Sequence, residues 1–319
     1  MRAMQITELG QPLVAADLAR PVPAEGEVLL RVRACGVNFA DTLMAAGRYQ
    51  EKHPLPFVPG MEVCGRVEAL GPGVGGLSLG ARVAAFPGRG GFAEYVAVAA
   101  RACVPVPAAM PDAEAAGFLI AYGTSHLALH HRARLQAGET LLVLGAAGGV
   151  GLTAVEIGKA MGGRVIASAR GAAKLAAAKA AGADHLIDAG EDLRARVKAL
   201  GGADVVYDPV GGEAFEAAMR AANPEARLLP IGFASGSVPQ IPANILLVKN
   251  LTVIGLYWGA YADLRPAVMT QSLAALFAWY EAGRLKPHVS HVLPLAEANA
   301  ALGLIIARKA TGKVVVEIG

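Results

Sequence analysis

The chain is predicted to be an α/β protein, with a doubly wound parallel sheet set beside a second, β-rich domain. Three observations predict this. A glycine-rich turn joins a strand-like run to a helix-like run between Gly138 and Ala160. Short, near-continuous apolar runs then alternate with helical patterns as far as Tyr257, the signature of a parallel sheet covered on both faces. The segment before Pro111 instead shows strand-like pieces at short spacing, broken by proline and glycine clusters.

From the N-terminus, M-R-A-M-Q-I-T-E-L-G reads as a first strand and lacks an apolar signal core. Strands are expected over Glu27–Ala34, Val63–Leu70, Arg82–Phe86 and Ala93–Val98. The intervening P-L-P-F-V-P-G and G-P-G-V-G-G turns suit an all-β or barrel-like domain. Helical pattern resumes after Pro111, where the Asp112 carboxylate is placed to cap free N–H groups.

The segment G-E-T-L-L-V-L-G-A-A-G-G-V-G (Gly138–Gly151) is the most informative in the chain. A strand at Leu141–Leu144 turns on Gly145, Gly148, Gly149 and Gly151 and enters the helix T-A-V-E-I-G-K-A. Glycines let backbone approach a pyrophosphate, and the helix start offers free N–H groups and a positive dipole end. The spacing is G-x-x-G-x-x-G, with Ala147 where the commoner G-x-G-x-x-G has its second glycine. Strand-like Arg164–Ala169, an alanine-rich helix, His185–Asp188, a charged helix over Glu191–Leu200, Ala203–Asp208, a further helix and Arg227–Gly232 follow. A final apolar run, L-T-V-I-G-L-Y, starts at Leu251 and brings the count to about six strands, a complete dinucleotide fold. Beyond it come an amphipathic helix (Ser272–Ala282) and the strands V-S-H-V-L-P-L and G-K-V-V-V-E-I. The economical arrangement returns this tail to the N-terminal domain, giving residues 1–120 with 257–319 as one domain and 121–256 as the other. A ligand is then expected in the cleft between them.

Composition narrows the function classes. The 319 residues are 54% hydrophobic and 17% charged, ample for large cores and unlike a disordered chain. A formal charge of +3 with no basic stripe argues against a nucleic-acid partner, and no uninterrupted apolar run is long enough for a membrane span. Three scattered cysteines, Cys35, Cys64 and Cys103, fit a reducing, cytoplasmic setting and neither a disulfide framework nor a cysteine-rich zinc lobe.

Several ordered motifs resemble the zinc-free quinone oxidoreductases of the medium-chain dehydrogenase/reductase superfamily. They are C-G-V-N-F-A-D (Cys35–Asp41), A-A-G-R-Y (Ala45–Tyr49), P-F-V-P-G-M-E-V-C-G-R-V (Pro56–Val67), A-Y-G-T-S (Ala121–Ser125), G-A-A-G-G-V-G, A-G-A-D-H, D-P-V-G-G (Asp208–Gly212) and T-G-K-V-V-V (Thr311–Val316). The resemblance spans essentially the whole chain and implies a GroES-like β-domain plus a Rossmann domain. Where the zinc alcohol dehydrogenases carry metal-binding Cys and His-Glu, this chain has Asn38 and Met61-Glu62. Asn and Met are poor zinc ligands, so no metal is expected.

A carboxylate near the end of the second Rossmann strand marks NAD preference, and here that place holds Ser168-Ala169-Arg170. Arg170 and Lys174 would attract a 2′-phosphate, so NADPH is the expected cofactor; a solvated helix start is the plainer reading of the same charges. Relatives often place a tyrosine by the adenosine ribose, where this chain has Asp188-Ala189. The resemblance further implies that Asn38 and Thr124 touch the nicotinamide end and that Gly148, Gly149 and Val150 meet the pyrophosphate. Phe233, Ser235 and Trp258 would flank the nicotinamide ribose, and Lys313 would close the site. For Phe233 and Trp258, core packing is a nearly equal reading. Asp41 is expected to orient the Asn38 loop.

Without a metal, hydride transfer needs an acceptor that is already electrophilic, and the expected substrate is a quinone. Tyr49 and Asn38 are the expected hydrogen-bond donors where negative charge develops, with a structural hydroxyl at a loop an equal reading for Tyr49. An enoyl reductase acting on alkenals, alkenones or acrylates fits the same features. A non-catalytic NADPH-binding protein of the crystallin kind is the reading from another class. A homodimer is expected from the family, joined at the apolar edge L-T-V-I-G-L-Y.

Overall fold

A computed structural model describes all residues from Met1 to Gly319 and divides them into two compact units, Met1–Ile120 with Pro287–Gly319, and Ala121–Lys286. The segment 257–286, assigned above with the N-terminal domain, therefore belongs to the second unit. The reason is packing within that unit: Ser272 hydroxyl meets His126 Nδ1 at 2.8 Å, Tyr261 stacks edge-on to His131, and Arg284 donates to the Ala160 carbonyl.

The first unit opens with β1 (Arg2–Gln5), antiparallel to β2 (Val14–Asp17). It continues through β3 (Glu27–Val37), α1 (Phe39–Ala45), β4 (Glu62–Leu70), β5 (Arg82–Ala85), β6 (Tyr95–Ala99), β7 (Cys103–Pro105) and α2 (Asp112–Ala116). The long β3 alternates buried Leu30, Val32 and Ala34 with exposed Arg31 and Arg33, the period-two pattern of a strand with one wet face. Asp112 does not cap α2. Pro111 holds the N-cap position, and the Asp112 carboxylate instead accepts from Arg82 Nε at 2.6 Å.

The second unit begins within α3 (Leu119–His126), which continues as a π-helical turn over Leu127–Arg132. Its elements are β8 (Thr140–Val143), α4 (Gly149–Ala160), β9 (Arg164–Ala169), α5 (Ala172–Ala180), β10 (His185–Asp188), α6 (Leu193–Ala199), β11 (Val205–Asp208), α7 (Gly212–Ala221), β12 (Arg227–Pro230), α8 (Ala243–Lys249), β13 (Thr252–Val253), α9 (Tyr261–Leu264) and α10 (Pro266–Glu281). All six strands pair in parallel, in the order β10-β9-β8-β11-β12-β13. This is the doubly wound order, whose direction of winding reverses between β8 and β11. The central strands β8 and β11 are buried at every residue, which is why they read as unbroken apolar runs. The edge strand is shorter than the apolar run suggests, with only Thr252 and Val253 in ladder geometry.

The chain then returns to the first unit with β14 (Val289–Pro294), α11 (Ala298–Ile306) and β15 (Lys313–Glu317). There β15 pairs antiparallel with β3, extending the sheet β14-β15-β3-β4-β5-β7. No helix is long and apolar enough to cross a membrane.

In the second unit a buried carboxyl, Glu156 of α4, accepts from the Tyr122 hydroxyl and, at 3.0 Å, from the Lys286 backbone N–H. Burial pushes its pKa up from 4.5 to about 7, against the pull of these two donors. An acid raised in the folded state holds its proton while the unfolded chain releases it. Its contribution to stability is therefore lost as pH rises from about 4.5 through about 7. Glu156→Gln keeps both contacts, its oxygen accepting from Lys286 and its amide donating to Tyr122. The variant is expected to melt close to the parent at pH 5 and about 5 °C above it at pH 8. Calorimetry at the two pH values checks this; a larger gain at pH 5 overturns it.

Candidate functional site

In the second unit, four loops leave the carboxyl ends of β8, β9, β11 and β12 along one edge of the parallel sheet, the edge where open α/β sheets hold ligands. After β8, Gly145 adopts φ +56°, Gly148 N–H returns to the Gly145 carbonyl at 3.0 Å, and α4 starts at once. Gly151 sits so close to the turn that a Cβ there would fall on the Gly145 carbonyl oxygen and 2.9 Å from Ala146 Cα. The N-cap of α4 is Gly148, with no capping side chain and no acidic residue in the first turn. The positive end of this 12-residue helix thus keeps its N–H groups for an incoming anion. Gly148, Gly149 and Val150 occupy this start.

Under the turn lies a chain of hydroxyls that sequence reasoning missed. Ser125 Oγ bonds the Val150 carbonyl at 3.0 Å, Thr153 Oγ1 at 2.8 Å and the Tyr207 hydroxyl at 2.9 Å. All three side chains are buried, and burial raises the Tyr207 phenol above its ordinary pKa. The chain ties α3, α4 and β11 together and fixes the direction of α4. Its only sequence trace is a hydroxyl in each of A-Y-G-T-S, L-T-A-V and V-V-Y-D.

At the end of β9, Ser168 is buried and its carbonyl accepts from Ala146 N–H, whereas Arg170 is exposed and Lys174 half-buried. Beside Arg170 stands Asp188, whose carboxylate accepts from Gly171 N–H at 2.8 Å and Gly190 N–H at 2.9 Å. These bonds, and to a lesser degree the Arg170 charge, hold its pKa below the usual carboxylate value. After β11, the buried Asp208 carboxylate accepts from Val210 and Gly211 N–H groups and shapes the D-P-V-G-G loop. Burial raises its pKa to about 6. Against this loop rests the one after β12. A Cβ on Gly211 would lie 3.2 Å from Phe233, and one on Gly212 would lie 3.1 Å from Ser235 Oγ. Phe233 is 41% exposed and so is not a core residue. Trp258 is buried, its indole laid over Gly123 so closely that a Cβ there would overlap it. This packs Trp258 on Gly123, the neighbour of Thr124 on α3.

In the first unit, Asn38, Glu62 and Lys313 meet in the interior. Lys313 Nζ donates to Glu62 Oε1 at 2.9 Å, Asn38 Oδ1 at 2.8 Å and the Val37 carbonyl at 3.0 Å. Asn38 Nδ2 donates to Glu62 Oε1 at 3.0 Å and to the Gly36 carbonyl at 3.3 Å, and Ile120 N–H completes Glu62 at Oε2. The Lys313 ammonium turns inward to a buried ion pair with Glu62, and the Asn38 amide bonds both members of that pair. Asp41 does orient the loop: its Oδ2 accepts from Asn38 N–H at 2.8 Å and its Oδ1 from Gly60 N–H at 3.1 Å. Burial pushes Asp41 up to about 7 despite both bonds. Tyr49, expected as a donor, is 8% exposed and lies in the apolar cluster with Met44 and Phe57.

The sequence matches the alcohol dehydrogenase GroES-like domain over residues 24–108 and the zinc-binding dehydrogenase domain over residues 149–274. It is 40% identical to a quinone oxidoreductase-like protein 2 homolog of Nematostella vectensis, over 99% of this chain and 88% of that protein. The solved quinone oxidoreductase of Thermus thermophilus, also described as a complex with NADPH, is 39% identical with a TM-score of 0.89, over 99% of this chain and 100% of that one. A mycobacterial protein solved as a complex with NADPH is 34% identical with a TM-score of 0.93, again over 99% and 100%. Similarity of this extent, over both units, makes the chain a member of the quinone oxidoreductase family within the medium-chain dehydrogenase/reductase superfamily.

Proposed function

We propose that this protein is an NADPH-dependent oxidoreductase that reduces a quinone without a catalytic metal. The carrying observation is the uncapped start of α4 behind the Gly145–Gly151 turn, flanked by an exposed arginine at the end of β9. When bound, NADPH supplies the hydride. The N–H groups of Gly149 and Val150 would hold its pyrophosphate. Arg170 and Lys174 would hold the 2′-phosphate beside Ser168, while Thr124, Phe233, Ser235 and Trp258 would hold the nicotinamide end. Asp188 stands beside Arg170 as an anion held by the backbone N–H groups of Gly171 and Gly190, so the arginine has a carboxylate as well as a phosphate to serve.

The zinc that one matching domain description implies does not fit these residues. Asn38 and Met61 replace good donors, and each Glu62 oxygen is already engaged, Oε1 by Lys313 and Asn38 and Oε2 by Ile120. No group of three or more His, Cys, Asp or Glu side chains converges anywhere in the chain. With no Lewis acid to lower an alcohol's pKa, the acceptor must be electrophilic on its own, as a quinone is. The Tyr49 hydroxyl is the donor proposed for the developing oxyanion. A second copy is proposed to pair at β13, where Leu247 of the preceding helix is 77% exposed. Light scattering reads this, and a monomer at high concentration would count against it.

A panel of quinones and enones, assayed with NADPH and NADH in parallel, tests the reading. Quinone turnover with NADPH is expected, unchanged by a chelator. Arg170→Ala is expected to weaken NADPH binding about 10- to 100-fold and NADH binding hardly at all, as befits the loss of a charge-assisted hydrogen bond. Turnover of enones alone would reassign the substrate, and equal losses for both nucleotides would remove Arg170 from the 2′-phosphate.

A further inference from the structure

The opposite edge of the parallel sheet carries a feature that the proposed oxidoreductase chemistry leaves unused. There the helices α6, α7 and α8 end side by side around a groove of about 670 Å³. Its walls carry Arg194, Lys198, Arg220 and Lys249, with Asn223 and Val248 between them and no carboxylate. The nearest acid through bonding is Asp204, which is occupied by Asn223 Nδ2 at 2.8 Å and the Thr140 N–H at 2.8 Å.

The charges are not accounted for by the helix ends. Three carboxyl-terminal helix ends carry about half a negative charge each, or roughly 1.5 in all. Four full positive charges exceed that by more than two. One of the four is committed: Lys249 Nζ donates to the carbonyls of Met219, Arg220 and Ala222 and so caps α7. Arg194, Lys198 and Arg220 are exposed and make no ion pair. Arg194 and Lys198 also stand four residues apart on α6, a like-charge spacing that costs a lone helix a few tenths of a kcal/mol. Burial and the charges of Lys198 and Arg194 lower the pKa of Lys249, so the cations lie within electrostatic reach of one another.

We propose that this groove binds a soluble small molecule bearing two or more phosphate charges, with Arg194, Lys198 and Arg220 as its ligands. The volume exceeds the needs of a single phosphate and suits a polyphosphate or a small organic phosphate. Arginine forks suit phosphate oxygens, and Lys249 fixes the end of α7 from which Arg220 reaches. The site lies at the amino-terminal edge of the strands, whereas the proposed dinucleotide site lies at the carboxyl-terminal edge. The two can therefore be filled together.

The experiment is calorimetric titration of inorganic tripolyphosphate into the full chain already saturated with NADPH. One equivalent is expected to bind, more weakly as salt is raised. The surface variant Arg194→Ala/Arg220→Ala is expected to lose at least tenfold in affinity for tripolyphosphate while keeping its NADPH affinity and melting temperature. Heat that persists unchanged in this variant, or no saturable heat, overturns the proposal. So does heat seen only before NADPH is added, which would report the dinucleotide site. Vesicles of phosphatidylcholine with a phosphorylated inositol lipid form a second arm. Retention on them without binding of free tripolyphosphate would assign the groove to a lipid surface and overturn the soluble ligand.

Discussion

Lys313→Met is expected to destabilise the β-rich unit by about 3–5 kcal/mol, the cost of leaving one member of a buried ion pair without its partner. Glu62 has 1% of its side chain exposed and Lys313 has 9%, so water cannot take over the lost contact. Removing the ammonium also releases Asn38 Oδ1 and the Val37 carbonyl, two further buried acceptors. Glu62→Gln should be damaging for the mirror reason, since it leaves the ammonium charge in the interior. The double variant Glu62→Gln/Lys313→Met removes both charges together and is expected to recover most of the loss, with a coupling of about 2 kcal/mol or more. Urea denaturation of the parent and the three variants checks this. If Lys313→Met stays within about 1 kcal/mol of the parent, the pair is not what holds Asn38 in place.

This network shows where sequence reading reaches its limit. Lys313 and Glu62 are 251 residues apart, and no local period links them. Each motif is visible alone, but a motif shows residue type and not the direction in which a side chain turns. The bonds of the Asn38 amide to Glu62 and Lys313 are therefore not legible in its motif. Asp112 misleads for a related reason: a cap is a local inference, and Arg82, thirty residues away, provides a stronger partner. By contrast, the central strands are legible because burial on both faces leaves an apolar run no other element explains. Arg164–Ala169 and His185–Asp188 fall within the very bounds read from sequence. The four-residue helix α9 is too short to set up a period, and α8 escapes notice because none of its residues is fully buried to mark a core face. The second unit reaches Lys286 through contacts of α10 with α3 and of Arg284, just beyond α10, with α4, and composition does not register contacts.

Gly151 and Gly148 are expected to fail in different ways, and the difference separates folding from ligand binding. At Gly151 an added Cβ meets the Gly145 carbonyl oxygen and Ala146 Cα, backbone atoms that cannot turn aside. Gly151→Ala must therefore displace the turn from α4, and a loss of about 2–4 kcal/mol in stability together with NADPH affinity is expected. Gly148 has φ −77°, open to any residue, and a Cβ there would sit 3.4 Å from the Gly145 oxygen, an ordinary contact. Gly148→Ala should therefore melt near the parent, while its methyl group stands where a pyrophosphate must approach the helix start. A loss of about 100-fold or more in NADPH affinity is expected without a matching change in melting temperature. Fluorescence titration with NADPH beside thermal unfolding reads both quantities. If Gly148→Ala binds NADPH as the parent does, the phosphates do not lie on this turn, and the placement of the cofactor at α4 is wrong.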